Sequence, residues 1–271
     1  MRSTLRPMVL CLSLLASRGA SAADSSPVDD GIERTLRQLL VVSPYRIPDA
    51  ARAGTIRFRV QTPGAPWAWP ETNEQHVRTD GETTELTICA ACGKEAPPSA
   101  EELRRYLAPN AWVQSRDRGV IAFARAATGD SVDARMSELV LAVQRTLTGP
   151  VDFRDYGSAT DALRTRGGDC TEFALLLAAA ARARQIPTRV VAGVAYASHF
   201  LGVRHAFTPH MWVQAWDGRR WTSYDAALGR FDSSHIAISV GDGAPEGFRG
   251  EMQAIARLHV LDAARVLEEA G

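Results

Sequence analysis

A cysteine, a histidine and an aspartate stand along this chain in an arrangement that could support nucleophilic catalysis by a thiol. Cys170 follows Gly167-Gly168-Asp169, His210 opens His210-Met211-Trp212, and Asp225 comes four positions after a tryptophan. In such a set the thiolate attacks a carbonyl carbon, the imidazole transfers the proton, and the carboxylate orients the imidazole. If the three side chains meet, the protein is a cysteine-nucleophile enzyme.

The residues around Cys170 predict the start of a buried helix. Residues 170–184 are rich in alanine and leucine, and Ile186-Pro187 ends the run. Gly167-Gly168-Asp169 suits a tight entry into this helix, which puts Cys170 at its N-terminus. The helix dipole favours a thiolate there, so we expect a lowered thiol pKa. The free backbone N–H of Cys170 could also help to hold an oxyanion.

The segment around Asp217-Gly218 predicts a β-hairpin that brings His210 to Asp225. Two alternating runs flank Asp217-Gly218, which is typical of a two-residue type I′ loop. In that register Trp216 pairs with Arg219, and His210 lies directly opposite Asp225 with Cβ atoms about 5 Å apart. A bulge would turn one partner to the other face of the sheet. The sequence therefore predicts a carboxylate to imidazole contact.

Each of these residues also has a purely structural interpretation. Cys170 could be a buried core thiol, His210 a packed strand histidine, and Asp225 the end of a strand. The combination of all three favours a catalytic site. The remaining histidines of this half are interpreted as loop or surface residues, namely His199, His205 and His235. The tryptophans are interpreted as lining a core or cleft, namely Trp212, Trp216 and Trp221.

Composition and the first residues favour an exported protein without a nucleic-acid partner. The chain has 271 residues, 45% of them hydrophobic, with 31 basic and 31 acidic residues, so no basic face is implied. Residues 1–22 have the arginines, apolar stretch and Ala20-Ser21-Ala22 ending of a secretory signal peptide. We expect cleavage after Ala22, no membrane anchor afterwards, and a periplasmic or secreted protein.

Three cysteines would remain after cleavage. Cys89 and Cys92 are spaced for a short disulfide in an oxidising compartment, which leaves Cys170 as an odd thiol. A zinc site at Cys89 and Cys92 is the alternative, although a second ligand pair is missing from the pattern. A redox protein centred on these two cysteines is a further hypothesis, and it predicts that Cys170 has no role.

The order of the elements predicts an α+β protein. Alternating segments at residues 54–60, 76–79 and 83–89 predict a small β-rich N-terminal domain over residues 23–98. Residues 99–128 form a linker with a helical connection, and 129–271 a catalytic domain. In that domain we predict a helix within 130–149, a second capped at Ser158, a strand at 188–196 and a loop at 197–209.

At these motifs the sequence resembles the exported bacterial branch of the transglutaminase-like superfamily. The resemblance covers roughly residues 130–240. Its matching segments are Gly168-Asp169-Cys170-Thr171-Glu172-Phe173, residues 182–191, His210-Met211-Trp212, residues 221–225 and residues 231–236. Met211 stands where such proteins more often have alanine.

The resemblance implies a papain-like transglutaminase core, in which a helix-start cysteine packs on an antiparallel sheet. It assigns Cys170 as nucleophile, His210 as base and Asp225 as orienting acid, with no cofactor and no metal. It implies acyl transfer or amide hydrolysis on a protein or peptide substrate, such as a cell-wall peptide. Whether water or an amine is the acceptor stays open, as does a non-catalytic binding module. Gln114 and Trp112 are candidates for a second oxyanion donor.

Overall fold

The computed structural model describes residues 30–64, 67–149, 151, 153, 156–248 and 250–266. The predicted signal peptide at residues 1–22 lies outside these ranges. Among the described residues, no helix is long and apolar enough to cross a membrane.

Helices and strands alternate in the α+β order that the sequence predicts. The α-helices of the described ranges are α1 (Asp30–Gln38), α2 (Asp49–Arg52), α3 (Ala100–Arg105), α4 (Arg118–Ala124), α5 (Val132–Thr146), α6 (Ala159–Thr165), α7 (Cys170–Ala183) and α8 (Glu251–Ala256). The strands are β1 (Val41–Val42), β2 (Thr55–Gln61), β3 (Gln75–Asp80), β4 (Thr83–Ile88), β5 (Thr188–Phe200), β6 (Val203–Trp216), β7 (Trp221–Tyr224), β8 (His235–Gly241) and β9 (His259–Val266). A short 3₁₀ helix covers Pro245–Phe248.

A five-stranded antiparallel sheet carries the residues singled out above. Its order is β1-β6-β5-β8, with β7 also paired to β6. Strands β5 and β6 pair over most of their length, up to Phe200 opposite Val203. The predicted loop at residues 197–209 is wrong, because the chain turns tightly at Leu201-Gly202 instead. Both turn residues have positive φ, at 46° and 80°, which allows a two-residue hairpin loop.

One side of β6 is interrupted where His210 lies. Strand β1 pairs with Ala206 and Phe207, and β7 pairs with β6 only from Val213 onward. Between them, residues 208–212 have no strand neighbour on that side within the described ranges. Side chains and loops can therefore approach the edge of β6 at this gap.

Helix α7 packs on one face of this sheet and is buried along nearly all of its length. Its alanines and leucines share a core with the inward face of β6, including Met211, Val213 and Ala215. At its C-terminal end the buried Arg182 guanidinium donates to the carbonyls of Thr188 (3.0 Å), Ala108 and Asp242. These bonds fix α7 against the start of β5, which holds its N-terminus in place.

The hairpin between β6 and β7 differs from the predicted type I′ loop by one position. The Asp217 N–H donates to the Arg220 carbonyl, so Gly218 and Arg219 are the central residues. Gly218 has φ of 98°, whereas Arg219 has negative φ, and type I′ requires positive φ at both. The Asp217 carboxylate accepts the N–H groups of Arg219 and Arg220 at 2.7 and 2.8 Å. This local cap places Asp217 before the turn instead of inside it.

A second sheet, with order β3-β4-β2-β9, packs beside the first. Strands β2, β3 and β4 follow the alternation predicted from sequence, whereas β9 comes from the far end of the chain. Residues of both sheets share one apolar core, including Phe58 and Phe207, whose ring centroids lie 5.6 Å apart. The four-stranded sheet thus combines strands from residues 55–88 with the C-terminal strand β9. A separate N-terminal domain over residues 23–98 stays a prediction.

Candidate active site

Cys170 is the first residue of α7, as the sequence predicts. Asp169 caps the helix by accepting the Thr171 N–H at 2.7 Å, and Glu172 accepts the Asp169 N–H at 2.8 Å. Gly168 has φ of 139°, and a Cβ there would lie 2.5 Å from the Cβ of Glu172. The double glycine and the acidic cap therefore set the entry angle that presents Cys170.

The environment of the Cys170 thiol opposes its ionisation. Burial raises the pKa of Cys170, and the negative charge of Asp169 raises it further, as do Asp225 and Glu172 to a smaller extent. A hydrogen bond from the Met211 backbone N–H lowers the pKa of Cys170 only in part. The expected lowering of this pKa by the helix dipole is therefore wrong. Burial of the thiol is the largest cause of the raised pKa, and the negative charge of Asp169 is the next.

The backbone N–H of Met211 lies close enough to the thiol to affect its pKa. Cys170 is half-buried and packs against the core that α7 shares with the sheet. Met211 directly follows His210 in the strand. The thiol thus lies against the backbone of the residue next to the candidate base.

His210 and Asp225 form a buried contact, with Nε2 and Oδ2 2.7 Å apart. The contact was predicted, but the direct pairing behind it is wrong. Trp216 pairs with Trp221, so this register, continued one residue past β7, sets Asp225 opposite Trp212 and diagonal to His210. Moving the turn by one position shifts the pairing by two residues, which keeps both side chains on one face. His210 and Asp225 are therefore in contact even though the predicted register was wrong.

Asp225 is held by four donors. Its Oδ1 accepts the backbone N–H groups of Ala227 (2.8 Å) and Leu228 (3.0 Å), and its Oδ2 faces Nε2 of both His210 and His235. Burial alone would raise the pKa of Asp225, but the two imidazoles hold it well below its usual range. Asp225 is thus a fixed anion that keeps the His210 proton on Nε2. The Nδ1 atom of His210 is then the nitrogen that can exchange a proton.

His235 is a member of this cluster that sequence reasoning missed. It was interpreted as a loop or surface residue, yet it is 2% exposed and begins β8. Its Nε2 lies 3.1 Å from Oδ2 of Asp225, and its Nδ1 lies 3.0 Å from the carbonyl of Asp232. The spacing Asp232-Ser-Ser-His235 ahead of an apolar alternating run was the available signal.

Aromatic rings surround the two imidazoles. Trp212 lies parallel to His210 with ring centroids 6.1 Å apart, and meets His235 edge-on at 5.3 Å. Phe231 lies 5.0 Å from His235, and the Trp212 indole donates to Ser223. This apolar wall, which includes the core tryptophan predicted from sequence, limits water access to the contact between His210 and Asp225.

The two candidate oxyanion donors differ in their hydrogen bonds. The Gln114 side-chain amide donates to the Ala111 carbonyl at 2.6 Å, and its oxygen accepts the Thr160 N–H. Trp112 packs against the same core as Cys170 and meets Tyr156 edge-on at 5.2 Å. Over the described part of the chain, its indole N–H makes no hydrogen bond. Gln114 is therefore committed to the local fold, whereas Trp112 has a donor to spare.

Two groups of residues have the side-chain types that bind metal ions. Cys89 and Cys92 form a disulfide, so the zinc alternative at this pair is wrong. The ligand atoms of His210, Asp225 and His235 all lie within 4.8 Å of one another, which is compact enough for an ion. However, Oδ2 lies 2.7 and 3.1 Å from the two imidazoles, whereas tetrahedral zinc ligands stand roughly 3.3 Å apart. Hydrogen bonding describes this group better.

The family model described as the transglutaminase-like superfamily matches residues 118–226. This range holds Cys170, His210 and Asp225. Over this region the resemblance to the transglutaminase-like superfamily, noted from the sequence motifs, is confirmed. The predicted fold class is confirmed accordingly, with α7 packed on the antiparallel sheet.

Solved structures are similar to the chain at low identity, and no curated protein matches the sequence. A candidate cysteine protease from Cytophaga hutchinsonii is 15% identical, with TM-score 0.46, covering 78% of this chain and 82% of that one. The periplasmic domain of TgpA from Pseudomonas aeruginosa is 20% identical, with TM-score 0.44, covering 70% and 75%. Red sea bream transglutaminase is 9% identical, with TM-score 0.37, covering 65% and 47%.

Proposed function

We propose that this transglutaminase-like protein catalyses acyl transfer from, or hydrolysis of, an amide or peptide bond through a thioester on Cys170. The observation that carries the proposal is the buried 2.7 Å contact of His210 with Asp225, while the backbone N–H of Met211, the next residue after His210, acts on the Cys170 thiol. In this proposal Cys170 is the nucleophile, His210 the base and Asp225 the orienting acid.

The raised pKa of Cys170 determines how the nucleophile forms. Because burial and neighbouring carboxylates favour the neutral thiol, Nδ1 of His210 removes its proton as the sulfur attacks the carbonyl carbon. The new C–S bond produces a tetrahedral oxyanion. His210 then returns the proton to the leaving amine as the C–N bond breaks, which leaves a thioester. Water or an amine attacks this thioester, with His210 again as base.

The oxyanion needs at least one donor besides the backbone N–H of Cys170. We assign the indole N–H of Trp112 to this role, because Gln114 already uses its amide for the Ala111 carbonyl. Trp112 packs against the same core as Cys170. Its packing against Tyr156 would keep the indole in position while the substrate carbonyl enters.

The substrate is proposed to be a protein or peptide met outside the cytoplasm, such as a cell-wall peptide. Two features support export: the signal-peptide pattern of residues 1–22 and the disulfide between Cys89 and Cys92. The disulfide also leaves Cys170 as the free thiol among the described residues.

Mass spectrometry of peptides incubated with the protein and a primary amine tests this proposal. An amine-conjugated product indicates transglutamination, a gain of about 1 Da at glutamine indicates deamidation, and a shortened peptide indicates proteolysis. The control is Cys170→Ala, and a Cys89→Ala/Cys92→Ala double variant tests the redox hypothesis. Activity that survives in Cys170→Ala and disappears in the double variant would contradict the proposal.

One observation favours a second candidate, a binding module without catalysis. The thiol pKa is raised instead of lowered, as in a core cysteine that packs without reacting. In that case no peptide product would form at any pH, and Cys170→Ala would bind the same ligands as the natural chain.

A further inference from the structure

We propose that His235 is a positioning residue that holds Asp225 in the orientation required by His210, and that Asp232 holds His235 in turn. The inference rests on the proposed function, since the role of His235 is defined by the reaction of Cys170 and His210. Neither His235 nor Asp232 would touch the substrate.

Both ring nitrogens of His235 have acceptors and none is left for water. Nε2 lies 3.1 Å from Oδ2 of Asp225, and Nδ1 lies 3.0 Å from the carbonyl oxygen of Asp232 and 3.4 Å from its Oδ1. The side chain is 1% exposed. Nδ1 also lies 3.3 Å from the backbone nitrogen of Asp232, but the shorter 3.0 Å distance to the carbonyl oxygen favours a proton on Nδ1. With a proton on each nitrogen, His235 is an imidazolium that donates to both Asp225 and Asp232.

The anchor at Asp232 is itself fixed by other parts of the chain. Its Oδ1 accepts the backbone N–H of Ser234 at 2.9 Å and the Ser234 hydroxyl at 2.5 Å. Its Oδ2 pairs with Arg52 of α2 at 3.2 Å, and the Ser233 N–H donates to the Arg52 carbonyl. The link therefore runs from α2 through Asp232 and His235 to Asp225.

Asp225 needs such an anchor because it lies just beyond the end of β7. The backbone bonds to its Oδ1 come from its own loop, at Ala227 and Leu228, and do not tie that loop to the sheet. His235 begins β8, which is separated from β6 by β5. The bond from His235 therefore holds the carboxylate from across the sheet and leaves Oδ2 aimed at His210.

Charge supports the same interpretation. Burial would lower the pKa of His235, but its bonds to Asp225 and Asp232 raise it to about 9. Burial would likewise raise the pKa of Asp232, whereas the bond to His235 lowers it to about 2. Asp225, His235 and Asp232 thus form a row of an anion, a cation and an anion beside His210.

The test combines a reaction rate with a signal that needs no turnover. In His235→Gln, one donor can reach Asp225 but the charge and the second bond are lost, so kcat should fall by about 10-fold to 100-fold, with KM changed less than about twofold. His205→Gln is the matched control, because His205 also lies on the five-stranded sheet and bonds the Tyr196 hydroxyl at 2.7 Å, away from Asp225. It should keep the natural kcat.

The second readout is the low-field imidazole N–H region of the proton NMR spectrum, recorded with labelled histidine. The natural chain should show two N–H signals on Nε2 atoms bonded to Asp225, from His210 and His235. His235→Gln should lose one and move the other, whereas His205→Gln should keep both. Asp232→Asn keeps the backbone carbonyl that His235 contacts. This variant should move the His235 signal and lower kcat by a smaller factor than His235→Gln. It replaces His235→Gln as the test if that variant does not fold.

The outcomes separate the inference from the proposed function. If His235→Gln folds with an unchanged His210 signal and unchanged kcat, the inference is overturned while the proposed function stands. If the natural chain has no acyl activity, the proposed function fails, and the His210 signal still decides whether His235 positions Asp225. If the two signals appear only after EDTA treatment, a metal ion fixes Asp225 and the inference is overturned.

Discussion

The candidate active site has two sides that differ in charge. On the histidine side, around His210, acidic and basic groups alternate, whereas on the cysteine side, around Cys170, the neighbouring charged groups are all acidic. Asp225, His235 and Asp232 form an alternating row in which each partner stabilises the charge of the next. Cys170 instead has the carboxylates of Asp169 and Glu172 beside it. The surroundings of His210, the proposed base, are therefore preorganised by paired charges, whereas those of Cys170, the proposed nucleophile, oppose its ionisation.

The carboxylates on the cysteine side have a structural role instead. Glu172 accepts the N–H of Gly157 at 2.7 Å and that of Asp169 at 2.8 Å, which fixes the loop before α7. Burial raises the pKa of Glu172 to about 7, and the charge of Asp169 contributes. The geometry of the helix start thus disfavours the thiolate electrostatically, and in the proposed mechanism His210 offsets this by taking the proton.

Removing the charge on the histidine side should have the largest effect. In Asp225→Asn, the amide presents either an N–H to His210 or an oxygen with no charge, so the Nε2 tautomer loses its partner. We expect kcat to fall by about 10³-fold to 10⁴-fold, as for other triads. Steady-state kinetics on a peptide substrate measure this. A loss smaller than about tenfold would mean that the two sides of the site do not differ as described.

The stability of the alternating row should depend on pH. The pKa of His235 rises from its usual 6.5 to about 9 in the folded chain, so its contribution is complete below about pH 6.5 and is lost as pH rises through about 9. This corresponds to roughly 3 kcal/mol in the free energy of unfolding. Urea unfolding at a series of pH values measures it.

The comparison with His235→Gln isolates this contribution. Burial raises the pKa of Glu172 to about 7 and that of Glu251 to about 8, so these acids also reduce stability as pH rises. The difference between the two chains removes their shared contribution. It should shrink between pH 6.5 and 10, and a difference that stays constant would argue against a charged His235.

A smaller effect should follow from removing one charge on the cysteine side. Asp169→Asn keeps an oxygen that can cap the Thr171 N–H but removes the nearest negative charge from Cys170. The pKa of the thiol should fall, so iodoacetamide labelling should begin at lower pH and be several-fold faster at pH 8. Asp117→Asn is the matched control, since Asp117 is the N-cap of α4 and accepts the Gly119 N–H at 2.7 Å. If both variants are labelled at the same rate, the charge of Asp169 does not raise the pKa of Cys170, which would contradict the description of the cysteine side.

Local sequence predicted the helix start and the hairpin contact, but it did not predict what surrounds them. The glycine pair before Asp169 and the alternation around Asp217 act over a few residues, so Cys170 and the His210 contact with Asp225 could be inferred. The contact was predicted correctly although the turn position was wrong, because the strand pairing shifted by two residues, which keeps both side chains on the same face of the sheet. His235 was missed because its position depends on β8 pairing with β5, which no short pattern encodes.

The sign of the thiol pKa shift was wrong for a different reason. The helix dipole was counted, whereas the burial of the thiol and the charge of Asp169 were not. The predicted loop at residues 197–209 failed because Gly202 was not recognised as part of a tight turn. Both errors came from weighing one local signal without its competitor.

The most direct test of the central claim is intact mass spectrometry of the protein mixed for short times with an activated peptide ester or glutamine peptide. The account predicts a mass increase equal to the acyl group, mapped by digestion to the peptide containing Cys170, sensitive to hydroxylamine and absent from Cys170→Ala. Its formation should slow strongly in Asp225→Asn. Product formation with no acyl adduct at Cys170, or with an adduct on another residue, would contradict the assignment of Cys170 as the nucleophile.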